Sequence, residues 1–242
     1  MQELRMRPGR EFQPPLEQKR VLLYTFYMLT KKNVVKVIDA LEKEYPDAAC
    51  ALDYGTLYQL LVSVMLSAQT TDASVNKATP ALFTAAPDAQ SMVKLSEEEI
   101  QNYIRSIGLY KNKSKSLLAM SRQLLDRFGG EVPRDYDSLV SLPGVGRKTA
   151  NVVLAEGFGQ QQIAVDTHVF RLANRIGLTA EKNVLRTELG LQRAIPNDKW
   201  TLAHHALIFH GRRCCHARGP ECGRCPINDV CEKNGVNDVQ TL

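Results

Sequence analysis

The chain has 242 residues, 44% of them hydrophobic, with 31 Lys and Arg against 26 Asp and Glu for a formal net charge of +5. That is enough apolar material for a full buried core, in one large domain or two small ones, and the basic balance permits a polyanionic partner without requiring one. The longest apolar run, residues 21–29, is too short to cross a bilayer, so a membrane-spanning protein is excluded.

Residues 1–30 carry Arg5, Arg7, Arg10 and Pro14-Pro15 with no clear period and read as a solvated, loosely held extension. The apolar run within them lacks a small-residue cleavage site and continues into Thr30-Lys31-Lys32-Asn33, which argues against export. Val34, Val37, Ile38 and Leu41 then recur at helical spacing up to Tyr45. Residues 55–69 show a second stripe, Leu57, Leu60, Leu61, Val64, Met65 and Ala68; polar residues interrupt it around Gln69, and Asp72 can cap a helix over 73–83. Ser96 and Glu99 form a capping box ahead of Ile100, Tyr103, Ile104 and Ile107. Gly108 ends that helix, and residues 109–113 form an exposed turn before a long helix to Phe128. Further helices are predicted over 136–142, 148–158, 167–176, 183–190 and 196–210. No stretch alternates like a strand, so the fold class is expected to be all-α.

Between two of these helices stands Leu142-Pro143-Gly144-Val145-Gly146-Arg147-Lys148-Thr149-Ala150. Gly144 and Gly146 allow a tight turn and close approach of a partner, and a helix starting near Arg147 aims free N–H groups outward as an anion site. The spacing fits neither a Walker loop nor a dinucleotide fingerprint, which leaves a helix-hairpin-helix that grips a nucleic-acid backbone. A bland corner with a glycine cap would leave Lys148 unexplained. A free lysine is almost wholly protonated at neutral pH, and the helix dipole shifts its pKa by well under a unit, so burial in a cleft is expected to supply most of what a nucleophilic amine needs. Asp166 follows the apolar Ile163-Ala164-Val165 and precedes Thr167-His168, as a helix cap would.

Five of the six cysteines fall within the last thirty residues, an arrangement suited to metal binding in a reducing compartment rather than to a disulfide framework. Cys215, Cys222, Cys225 and Cys231 are spaced C-x6-C-x2-C-x5-C, one close pair between two wider gaps, which suits an iron–sulfur cubane better than zinc. Cys214 does not fit the six-residue gap and reads as a spectator thiol. From Arg212 to Lys233 five Lys or Arg residues stand against three acids, with Arg218 and His216 best placed to meet phosphates.

The Leu-Pro-Gly-Val-Gly-Arg-Lys-Thr-Ala string, the Val-Asp-Thr-His string and the four-cysteine cluster together resemble the endonuclease III family of DNA glycosylases, over roughly residues 33–231. The resemblance implies two helical lobes around a DNA-binding cleft: a six-helix barrel lobe over residues 50–160 with the helix-hairpin-helix, and a cluster-bearing lobe built from 31–49 and 161–242. It implies a bifunctional enzyme of base excision repair that excises oxidised pyrimidines and nicks the abasic site by β-elimination, with Lys148 as Schiff-base nucleophile and Asp166 as its carboxylate partner. It also implies a 4Fe-4S cluster on the four cysteines, Gln69 filling the hole of an everted nucleotide, and Leu109 wedged into the opposite strand. Gly144, Val145, Gly146, Arg147, Lys111, Lys113 and Arg218, with Lys115 nearby, are candidate DNA contacts, and His168 is a candidate for the base pocket. The expected partner is damaged or abasic double-stranded DNA, bound by a monomer in the cytoplasm at the nucleoid.

Relatives that excise adenine lack the hairpin lysine and carry a glutamate where this chain has Ser63. Relatives that act on alkylated bases also lack the lysine, and those acting on oxidised guanine usually lack the cluster. Outside this superfamily, a non-catalytic DNA grip or an iron–sulfur electron carrier would leave Lys148, or the hairpin and Gln69, without a purpose.

Overall fold

A computed structural model describes residues 28–236; most of the predicted basic extension, residues 1–27, lies outside them. Eleven α-helices are found and no strand among the described residues: α1 Lys31–Glu44, α2 Leu57–Leu66, α3 Asp72–Ala85, α4 Ala89–Met92, α5 Glu97–Ile104, α6 Tyr110–Phe128, α7 Tyr136–Val140, α8 Arg147–Phe158, α9 Thr167–Ile176, α10 Val184–Ala194 and α11 Trp200–Arg213. The capping box at Ser96 is formed in full, with Ser96 accepting from Glu99 N and the Glu99 carboxylate accepting from Ser96 N. The single turn α4, capped by Asp88, is the helix that periodicity did not predict; four residues are too few to show a period.

The helices form two lobes, each around its own apolar cluster. The first is built from α2 to α8 on Leu60, Leu61, Leu66, Leu82, Ile100, Ile104, Leu117, Met120 and Val153. The second joins α1 to the C-terminal helices through Val37, Ile38, Leu41, Ile163, Leu172, Ile176, Leu191 and Leu207. Within them α2 packs on α8, α5 on α6, and α11 on both α1 and α9. Burying one such leucine or isoleucine is worth about 1.5–3 kcal/mol, so these stripes determine which helix faces turn inward. Gly157 shows how closely α8 sits on α2: a Cβ there would stand 2.8 Å from Leu57 Cδ2 and 3.1 Å from Leu60 Cδ2.

The chain begins the second lobe with α1, builds the whole first lobe, and returns through residues 163–165 to complete the second. That return places Asp166 in a groove that Lys148, in the first turn of α8, also lines.

Candidate active-site cleft and cysteine loop

The hairpin is α7, a turn, and α8. Gly144 has φ +79°, and a Cβ on it would lie 2.8 Å from Ser116 Cβ and 3.0 Å from Met65 Sδ, so both conformation and space demand glycine. Gly146 is the N-cap of α8 and nothing lies within 4 Å of where a Cβ would stand on it, so no side chain caps the first N–H groups of α8. Val145 contributes differently from expectation: its side chain is buried and its N–H donates to Leu142 O at 3.1 Å, which makes it a strut of the turn.

Arg147 also departs from its predicted role. Its guanidinium donates to both oxygens of Glu188, at 2.7 Å each, and to Tyr136 Oη at 3.0 Å, while lying over the Tyr136 ring. A fork committed to a buried carboxylate is not free to meet a phosphate. Burial of Lys148, required by the sequence argument, is not supplied by the protein: the residue is exposed.

That groove, about 910 Å³, is lined by Lys148, Asp166, Asp72, Arg212, His168 and Gln69 among others. A smaller inner cavity of about 70 Å³ shares Lys148 and Asp166 and continues to Cys50, His204 and His205 between the lobes. Asp166 caps α9 and accepts from Val169 N at 2.8 Å, which fixes the carboxylate by the helix start. Burial lowers the pKa of His168, with Arg171 and Arg212 adding to the effect and Asp166 opposing it, so the ring favours its neutral form. Arg212 and Asp72, one from each lobe, meet at 3.0 Å on the groove wall. Both were missed as site residues: the sequence shows Asp72 only as a helix cap, whereas Thr71 caps α3, accepting from Ser74 N, and leaves the Asp72 carboxylate free for Arg212; one arginine of a basic run carries no sequence signal of its own.

Gln69 and Leu109 are both exposed and both in left-handed backbone, φ 56° and 60°. Such a conformation costs a non-glycine residue on the order of 1 kcal/mol and persists where surroundings enforce it. Here the enforcing group is Lys113. It is 7% exposed, and its Nζ donates to Leu66 O at 2.8 Å, Ala68 O at 2.7 Å and Thr70 Oγ1 at 2.9 Å. The amine thus satisfies the free carbonyls that end α2 and ties the Gln69 turn to the Leu109 turn. The expected phosphate contact is corrected: Lys113 is a brace, and burial pulls its pKa below the usual lysine value. Lys111 and Lys115 beside it remain exposed, as does Arg218 in the cysteine loop. Leu109, Lys111, Gly144 and Arg218 are not among the groove's lining residues; they stand outside it.

Cys215, Cys222, Cys225 and Cys231 line one cavity, together with Cys214, Arg175 and His210. Donors already point at the sulfurs: Arg175 Nη1 lies 3.4 Å from Cys215 Sγ and Lys233 N 3.4 Å from Cys231 Sγ, while His210 Nε2 stands 3.6 Å from Cys225 Sγ. Polar groups set against three of the four sulfurs that line this one cavity suit an anionic thiolate cluster, so the residues fit the group. Burial pushes the Cys231 thiol up to about 11, so cluster binding must displace its proton, and pushes the neighbouring Cys214 thiol up to about 12. Cys214 is less remote than a spectator: its sulfur, a His210 nitrogen and the Cys225 sulfur lie within 4.8 Å of one another.

Residues 62–197 match the model of the HhH-GPD superfamily base excision DNA repair proteins, and residues 215–231 match the iron-sulfur binding domain of endonuclease III. The second match begins on Cys215 and ends on Cys231, which favours Cys215 over Cys214 as first ligand. Endonuclease III of Bacillus subtilis (strain 168) is 44% identical over 216 residues, 89% of this chain and 99% of that protein. Endonuclease III of Escherichia coli (strain K12) is 44% identical over 211 residues, 87% of this chain and 100% of that protein. The fold superposes with a TM-score of 0.81 on a non-covalent endonuclease III–DNA complex and likewise on a trapped endonuclease III–DNA covalent intermediate. Each covers 85% of this chain and 97% of the compared chain at 44% identity. With its hairpin, its seam and its cysteine loop all inside these matches, the chain belongs to the endonuclease III family.

Proposed function

We propose that Lys148 and Asp166 are the reacting groups of a bifunctional DNA glycosylase and abasic-site lyase that acts on oxidised pyrimidines in double-stranded DNA. The observation that carries this is their placement: two residues from different lobes line one groove beside a backbone-gripping hairpin. With a nucleotide everted into the groove, water is displaced from around Lys148 and its neutral amine attacks C1′ of the sugar. The C1′–N bond breaks and the base leaves with its electron pair and a proton. The Lys148 nitrogen lone pair then breaks the C1′–O4′ bond, O4′ taking a proton, and the resulting iminium with the opened sugar acidifies the C2′ proton; its loss to a base expels the 3′ phosphate, and water then releases the amine. Asp166, held by the start of α9, stabilises positive charge developing at C1′ and relays protons.

Gln69 fills the gap left in the stack, and Leu109 enters from the neighbouring turn. Gly146 and the open N–H groups of α8 hold phosphate, with Lys111, Lys115 and Arg218 adding charge on either side. His168, Asp72 and Arg212 present the polar edges that read the flipped base. Cys215, Cys222, Cys225 and Cys231 would hold the 4Fe-4S cluster, which would fix the loop that bears exposed Arg218 towards DNA. The groove is complete within one chain, which fits a monomer. No helix among the described residues is long and apolar enough to cross a membrane, in keeping with work on cytoplasmic, nucleoid DNA.

Borohydride reduction during incubation with duplex containing an oxidised pyrimidine should trap a covalent protein–DNA adduct. Lys148→Ala should lower the yield at least about a thousandfold, the scale on which removal of a nucleophile acts. An undiminished adduct in that variant would end the assignment.

A further inference from the structure

Two carboxylates in this molecule are committed to contacts between the lobes and have no part in the chemistry above. Glu188, on α10 of the second lobe, has a side chain 2% exposed and holds the Arg147 fork at 2.7 Å on both oxygens. Glu156, near the far end of α8, meets His205 Nε2 on α11 at 2.6 Å, with side chains 15% and 10% exposed. Arg147 and Glu156 are nine residues apart, about 13 Å along a helix. So α8, whose first turn carries Lys148, is tied to the opposite lobe at both ends.

The apolar residues of α8 do not make this connection. Ala150, Val152, Val153 and Leu154 all pack into the first lobe's own cluster. The groups that reach across are polar: Arg147, Glu156, and Asn151, which donates to Ile163 O at 3.2 Å three residues before Asp166. Buried ion pairs contribute little net stability compared with apolar packing, but a two-bond fork fixes direction as well as distance. We propose that Glu188 and His205 are positioning residues: they clamp α8 to the second lobe and so hold the Lys148 amine at its working separation from Asp166. This rests on the reading of Lys148 and Asp166 as the reacting pair. A displacement of about 1 Å at a reacting atom is enough to slow chemistry by about a hundredfold, so a loosened clamp should show in the rate rather than in binding.

The test is single-turnover base release from a duplex bearing one oxidised pyrimidine, measured well below the melting temperature of each variant. Glu188→Gln keeps the shape and removes the charge. Its maximal rate is expected to fall about tenfold to a hundredfold, with the half-saturating enzyme concentration within about threefold of wild type. His205→Leu should behave alike with a smaller loss, and the double variant should lose more than either. If Glu188→Gln does not fold, Arg147→Lys keeps both charges but cannot form the fork, and about a tenfold rate loss with unchanged half-saturation is expected. Variants that melt at lower temperature but react at the wild-type rate would assign these pairs to stability alone and overturn the clamp. A wild-type protein that forms no borohydride adduct would instead remove the lysine reading and the clamp's purpose with it.

Discussion

The two lobes solve the burial problem differently. The first closes on aliphatic side chains, and its one buried charged side chain among the described residues, Lys113, serves a local end by completing α2. The second buries Arg175, Glu188, His204, His205 and His210. Of these, Arg175 and His210 face the cysteine loop, where residues 214–236 contain a single 3-10 turn and take support from side-chain donors. Arg175 donates to His216 O at 2.7 Å and to Ala217 O at 3.2 Å as well as toward Cys215. A lobe built mainly on packing is finished when it folds; one whose last segment is strung on donors and thiols needs a further ligand to be finished. The proposed reacting pair, Lys148 and Asp166, takes one member from each kind.

The largest expected effect tests that difference directly. Stripping iron by chelation, or Cys225→Ser, should raise amide exchange over residues 214–231 by about a thousandfold or more, while peptides from α2 keep their protection. Equal loss in both lobes would abolish the distinction. On the other side, Gly144→Ala forces a Cβ to 2.8 Å from Ser116 Cβ at φ +79° and should destabilise the first lobe by about 2–4 kcal/mol with full iron content. Gly146→Ala, which meets open space, should cost under about 1 kcal/mol in the same melt.

The same difference explains what the sequence made legible. Periodicity and caps give the helices of a packing-driven lobe, because the stripe Leu57, Leu60, Leu61, Val64 is itself the core; and four cysteines at fixed spacing announce a ligand without any geometry. Lys148 and Asp166 were singled out through motif and resemblance. What could not be read was pairing between segments far apart in the chain. Nothing adjacent to Arg147 or Lys113 in the chain reveals that Glu188 or the end of α2 has claimed it, so both were assigned to DNA on charge alone. Asp72 with Arg212, and Glu156 with His205, stayed invisible for the same reason.

Acid should weaken the seam from the second lobe's side. Burial holds His204 neutral, with a pKa lowered to about 3, and His205 and Lys148 facing it act in the same direction. An unfolded chain takes up that proton below about pH 6.5, so this contribution is intact above that pH and declines as pH falls toward 3. The slope is at most about 1.4 kcal/mol per pH unit for one histidine. His204→Leu should flatten the fall of melting temperature between pH 6.5 and 4; an unchanged profile would place the acid sensitivity elsewhere.

The smallest effect separates two neighbouring lysines that charge alone treats as equivalent. Lys111 is exposed on the first turn of α6, whereas the Lys113 amine is taken up by three oxygens of its own lobe. Each phosphate contact releases counterions, so its loss lowers the slope of log affinity against log salt by about 0.9. Lys111→Ala should therefore reduce the slope for undamaged duplex by about that amount and weaken binding slightly. Lys113→Met should leave the slope alone. It should instead orphan the carbonyls of Leu66 and Ala68, destabilise the fold by about 1–3 kcal/mol, and loosen the turns that present Gln69 and Leu109. A salt slope that dropped with Lys113→Met would return that lysine to the DNA surface and remove the brace.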